Sequence, residues 1–125
     1  MELIRQRHKN DCGIACAAML AGVSYEVASD AAAPLGKRRS RTADTTMYLI
    51  LRNLGIKGKL PMIPGPANGS NALLKCNRGE RRIAGVKGWH WCVWSAAEQK
   101  ILDPLDDGKK RPVLSHMPVS STLTK

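Results

Sequence analysis

The stretch HWCVWSAAEQKILD, His90 to Asp103, decides how the second half of the chain is read. His90–Ser95 and Gln99–Asp103 are short runs rich in Trp, Val, Ile and Leu, and Ala96, Ala97 and Glu98 between them make a hairpin turn, so the stretch predicts two antiparallel strands. Upstream, ALLKC (Ala72–Cys76) and RRIAGV (Arg81–Val86) have the same look, each bounded by Gly, Asn or charged residues. KLPMIPGPANGSN (Lys59–Asn71), broken by three prolines and two glycines, reads as loop.

The first half has a different period. Ile14, Ala15, Ala18, Met19 and Gly22 recur at helical spacing, Asp11 stands where an N-cap belongs, and the run is too apolar for an exposed helix. It stops at Ala21-Gly22. Ser24 caps a second, shorter helix that ends before Pro34 and Gly36, and Thr45–Leu54 forms a third, with Met47, Leu51 and Leu54 on one face and Gly55 as its stop. Helices first and strands second predict an α+β domain, N-terminal helices packed on one C-terminal antiparallel sheet. Met1–Asn10 reads as an extended arm and PVLSHMPVSSTLTK (Pro112–Lys125) as a loose tail.

At 125 residues the chain fits one domain, 1–125, with its core over 3–104 and a basic, loose segment over 105–125. Apolar residues at 43% and charged ones at 24% exclude a largely disordered chain. The net charge of +10 would attract an acidic protein or nucleic acid at long range. It is concentrated in GKRRSR (Gly36–Arg41), NRGERR (Asn77–Arg82) and GKKR (Gly108–Arg111), which read either as solvated loops or as a binding surface. No apolar run reaches membrane-spanning length and the N-terminus has no signal-peptide pattern, so no membrane segment and a cytoplasmic location are expected. The four cysteines, Cys12, Cys16, Cys76 and Cys92, are then expected as free thiols.

Cys12 stands at a predicted helix N-terminus, where free N–H groups and the helix dipole favour a thiolate. A nucleophile needs a base, which His90 could supply from the other half of the chain, and the base needs an orienter, which Asp103 could supply from the end of the strand that hairpins with the His90 strand. The Cys12 N–H and the side-chain amide of Gln6, on the arm approaching Cys12, could hold an oxyanion.

Gln6 six residues ahead of Cys12, the DCG-x-AC and SYEVA segments, HW-x-V at His90–Val93 and Asp103-Pro104 together resemble the bacteriocin-processing peptidase family C39, in the papain-like clan. The resemblance covers Leu3 to Pro104. It implies a papain-like fold and a cysteine peptidase in which Cys12 is nucleophile, His90 general base, Asp103 orienter and Gln6 oxyanion donor. Members cleave leader peptides after a double glycine, mostly as part of an export transporter. It therefore implies a peptide or protein substrate with a glycine-rich cleavage site, here met by a stand-alone domain, without cofactor or metal.

Other readings stand beside these. Cys12 also reads as an inert buried thiol, His90 as a satisfied core histidine, Asp103 before Pro104 as a turn former and Gln6 as a surface amide. Cys16, Cys76 and Cys92 read as core. Cys12, Cys16, His90 and Cys92 are soft metal ligands, but their spacing is not a usual structural zinc pattern. The alternative function is an inactive C39-like binding module whose basic loops grip an acidic protein or nucleic acid; Trp89, Trp91 and Trp94 read as residues alternating between the faces of a central strand, or as stacking platforms for bases.

Overall fold

A computed structural model of the chain describes residues 1–36, 42–77 and 89–121. Among them are three α-helices, α1 (Cys12–Ala21), α2 (Tyr25–Ala32) and α3 (Asp44–Asn53). Six strands follow: β1 (Ile56–Gly58), β2 (Ile63–Pro64), β3 (Ala72–Asn77), β4 (Trp89–Ser95), β5 (Lys100–Leu102) and β6 (Val113–Ser121). The class is α+β, with every strand pair antiparallel and the order β1-β6-β3-β4-β5, β2 lying on β6. No single described helix is long and apolar enough to cross a membrane.

The composition of α1 dictates its place. Cys12 to Leu20 are all buried, so the helix runs through the core, as a helix without a polar face must. It ends where Gly22 turns left-handed, φ +67°, and the N–H groups of Gly22 and Val23 return to the carbonyls of Met19 and Ala18. Ser24 caps α2 by accepting from the Val27 N–H at 3.2 Å. In α3 the buried positions are Met47, Ile50 and Leu51.

The hairpin of β4 and β5 forms as expected, with Val93 opposite Leu102, Trp94 opposite Ile101 and Ser95 opposite Lys100. The RRIAGV strand lies outside the described residues. Two departures concern the edges of the reading. Ile56–Gly58 makes a short strand, and 113–121, expected as a loose tail, is β6, paired with both β1 and β3. The alternation in β6 is interrupted by a bulge: Ser115 faces Lys75 but Val113 faces Cys76, so the strand changes sides of the sheet at Leu114. With Pro118 added, no unbroken period of two marks it as a strand.

The sheet is covered on one side by the helices. Leu73, Trp91, Val93, Leu102, Met117 and Val119 pack there against α1, α2 and α3, while Ala72, Leu74, Cys76 and Cys92 form a smaller cluster with Trp94 and Val113 on the other. The start of α1 is pressed close to the sheet. A β-carbon added at Gly13 would stand 2.4 Å from Thr42 Oγ1 and 2.7 Å from Met47 Sδ, beside Trp91, whose Nε1 donates to the Thr42 carbonyl at 3.0 Å. Gly13→Ala therefore has to displace the side chains of Thr42 and Met47 or shift the start of α1, and it is expected to cost about 1–3 kcal/mol, read as a lower urea midpoint at unchanged slope. A midpoint equal to that of the native chain would show that this approach is not tight.

Candidate active site

Three separate elements bring the triad together. α1 presents Cys12 at its first residue, β4 presents His90 next to its start, and the turn after β5 presents Asp103. His90 Nε2 lies 2.7 Å from Asp103 Oδ1, which leaves Nδ1 as the nitrogen not engaged by Asp103, and Cys12 lies near enough to the ring to favour its charged form. The order thiol, imidazole, carboxylate is that of a nucleophile, its base and the base's orienter. Cys12 keeps 8% of its surface exposed, whereas Cys16, one turn along, keeps none. Burial pushes the Cys16 thiol well up, in keeping with a core role.

Burial by itself would favour the neutral His90 ring. The hydrogen bond to Asp103, the nearby Cys12 and the charges behind them outweigh it, and His90 is raised to about 9. Asp103 is held low: burial pushes it up, but the bond to His90, the N–H of Leu105 at 2.9 Å and the nearby Arg111 guanidinium prevail. Arg111 is the residue of this cluster that the sequence did not single out, since GKKR looks like a solvated basic loop. Its guanidinium is 8% exposed, donates from Nη1 to Asp103 Oδ2 at 2.7 Å, and grips Asp107 with Nη1 at 3.0 Å and Nη2 at 2.7 Å. The signal available was the acidic run Asp103, Asp106, Asp107 just before it, too acidic to leave an arginine unpaired.

Asp11 stands in the N-cap position but its carboxylate makes no cap bond. It turns back on the arm, accepting from the N–H groups of Arg7 at 3.1 Å and His8 at 2.9 Å and from the Tyr25 hydroxyl. A fully buried carboxylate needs several donors, and the arm with Tyr25 offers more of them than the first helical turn. This fixes the loop that delivers Cys12. Gln6 lies in the same loop, its N–H bonded to the Pro104 carbonyl at 3.0 Å, beside the Asp103 turn. Its side-chain Nε2 donates to the carbonyls of His8 at 2.8 Å and Lys9 at 3.2 Å, so the amide hydrogens are spent within the loop and not directed at Cys12.

Of the remaining groups, Trp91 is buried in the core and Trp89 and Trp94 are partly buried, so no exposed aromatic row faces solvent on β4. Most of GKRRSR and NRGERR lies outside the described residues, and in GKKR Gly108, Lys109 and Lys110 are exposed but Arg111 is not. The soft-ligand set of Cys12, Cys16, His90 and Cys92 is not the one that converges; His90, Cys92 and Asp103 do, with ligand atoms within 4.8 Å of one another. No protein-family model, curated protein or solved structure matches the chain.

Two outcomes follow from this electrostatic arrangement. His90 is raised from 6.5 to about 9, so the stability it adds is complete below pH 6.5 and is lost as pH rises through about 9. The stability difference between the native chain and His90→Gln, from denaturant unfolding, should therefore shrink over that interval; a difference that stays flat would mean that the ring is not charged. Arg111→Ala removes one partner of a largely buried ion pair and should cost about 3 kcal/mol, while Arg111→Lys, unable to bridge Asp103 and Asp107 at once, recovers only part of it. An unaltered melting temperature in Arg111→Ala would contradict this.

Proposed function

We propose that this chain is a cysteine peptidase of the papain-like type, akin to the C39 family, hydrolysing a peptide or amide bond. The observation that carries the reading is the continuous line from Cys12 through His90 to Asp103, assembled from a helix start, a strand and a turn far apart in sequence. A buried helix bearing the thiol, set against an antiparallel sheet bearing the imidazole, supports the papain-like assignment.

In the proposed reaction the Cys12 thiolate attacks the carbonyl carbon, forming a C–S bond, while negative charge gathers on the carbonyl oxygen. The Cys12 N–H at the start of α1 meets that charge. His90 gives the proton on Nδ1 to the leaving amine, the C–N bond breaks, and a thioester remains. Water, deprotonated by the now neutral His90, attacks the thioester, the C–S bond breaks, the acid leaves, and the Cys12 thiolate and charged His90 are restored. Asp103 keeps the ring in place through Nε2, and Arg111 acts one step further out as a positioning residue. For Gln6 to supply a second oxyanion donor, its amide must leave the carbonyls of His8 and Lys9.

That engagement of Gln6 favours a second reading, an inactive binding module whose basic loops hold an acidic protein or nucleic acid. It requires binding that weakens with salt and on neutralising Arg38, Arg39 and Arg41, which lie outside the described residues.

Iodoacetamide alkylation with peptide mapping separates the two. The peptidase reading expects Cys12 to react faster than Cys16, Cys76 and Cys92 and to lose that lead in His90→Ala. It also expects Cys12→Ala to abolish cleavage of a mixed peptide library without unfolding. Four thiols of equal reactivity, or cleavage that survives Cys12→Ala, would leave the binding module as the reading.

A further inference from the structure

Cys76 and Cys92 have no part in the reaction above, yet they stand against its base. β3 and β4 pair Cys76 with His90 and Leu74 with Cys92, so Cys76, His90 and Cys92 share one face of the sheet. The two thiols pack together in one cluster on that face. The β4–β5 register, with Val93 opposite Leu102, brings the next residue, Asp103, alongside Cys92. One nitrogen of His90, the sulfur of Cys92 and one oxygen of Asp103 all lie within 4.8 Å of one another.

Imidazole, thiolate and carboxylate are the donors that zinc-class ions take, with a fourth position open to water. The outer contacts suit such an ion. Arg111 holds Oδ2 of Asp103 at 2.7 Å and leaves Oδ1 toward His90, and its charge is met by Asp107 as well as by Asp103. Cys76 stands beside Cys92 on the neighbouring strand, in the same small cluster. A cavity of about 600 Å³, lined in part by Cys76, Cys92, Trp94, Asp103 and Arg111, gives the ion a way in.

We propose that His90, Cys92 and Asp103 form a binding site for a zinc-class divalent cation, and that the bound ion silences His90 as a base. The ion takes the place of the proton shared by Nε2 and Oδ1. With bonds of about 2.0 Å at a tetrahedral angle it widens that 2.7 Å separation to about 3.2 Å. The Nε2–H bond of the charged ring and the S–H bond of Cys92 break, two protons pass to the buffer, and metal–nitrogen, metal–oxygen and metal–sulfur bonds form. The ring keeps its hydrogen on Nδ1, the nitrogen not engaged by the ion, and can no longer take the proton of the Cys12 thiol. The silencing half of the proposal rests on the peptidase reading; the binding half does not.

Cobalt(II) titration of the reduced full chain tests binding without any substrate. The expected result is one Co²⁺ per chain with a sulfur-to-cobalt charge-transfer band that Zn²⁺ displaces. The band should be absent in Cys92→Ser and Cys92→Ala, folded by circular dichroism, and present in Cys12→Ala. Cys76→Ala, which removes the sulfur beside Cys92, should weaken affinity roughly 10- to 100-fold. Zinc should also slow Cys12 alkylation in the native chain and leave the rate of Cys92→Ser unchanged. No band in the native chain, or a band lost in Cys12→Ala and kept in Cys92→Ser, overturns the site. A metal-free Cys12 no more reactive than Cys16 overturns the silencing and the peptidase reading, while the cobalt band still decides whether the ion binds.

Discussion

The carboxylate of Asp103 is the contact on which the other parts of this molecule depend. One oxygen is shared by the His90 ring and the Leu105 N–H, the other is held by Arg111. Taking a carboxylate out of water costs several kcal/mol, and a buried ion pair holds only when the remaining lone pairs are filled as well. Here the donors come from β4, from the turn after β5 and from the loop before β6. The hairpin register, the turn and the path into β6 are thus tied to one another. The Gln6 N–H bond to the Pro104 carbonyl adds the N-terminal arm to the same junction.

Cys12 reaches this junction because of two constraints on the start of α1. The absence of a side chain at Gly13 lets the helix lie against Thr42, Met47 and Trp91, and the buried carboxylate of Asp11 folds the preceding loop by drawing in the N–H groups of Arg7 and His8. Neither residue touches His90 chemistry. Together they set where the sulfur stands, so the reach from Cys12 to His90 is a consequence of packing in the core.

Much of this was legible in the sequence, for identifiable reasons. The apolar run of α1, the Ser24 cap and the β4–β5 hairpin are local patterns, read with one period and closed by local turn residues. Cys12, His90 and Asp103 could be singled out because each residue type suits one step of one reaction, and the structure brings them together. What was not legible depends on distant partners. β6 is recruited by the free edges of β1 and β3 and hides its period behind a bulge, and Arg111 looked solvated until Asp103 and Asp107 closed around it. Asp11 carried the right residue type for a cap, but the donors of the arm and Tyr25 outnumber those of the first turn. The Gln6 side chain failed to follow its expected direction because carbonyls two and three residues on were nearer acceptors.

The charge state and hydrogen bonding of the His90 ring, followed by nitrogen-15 NMR against pH in the native chain and in Cys12→Ala, test the central claim most directly. The account predicts a ring bearing both protons at neutral pH and titrating near 9, with Nε2 in the hydrogen bond to Asp103, and a midpoint that falls when Cys12 is removed. A ring that titrates near 6.5 and ignores the loss of Cys12 would contradict it, and the assembled triad would then be a satisfied core histidine with a carboxylate beside it.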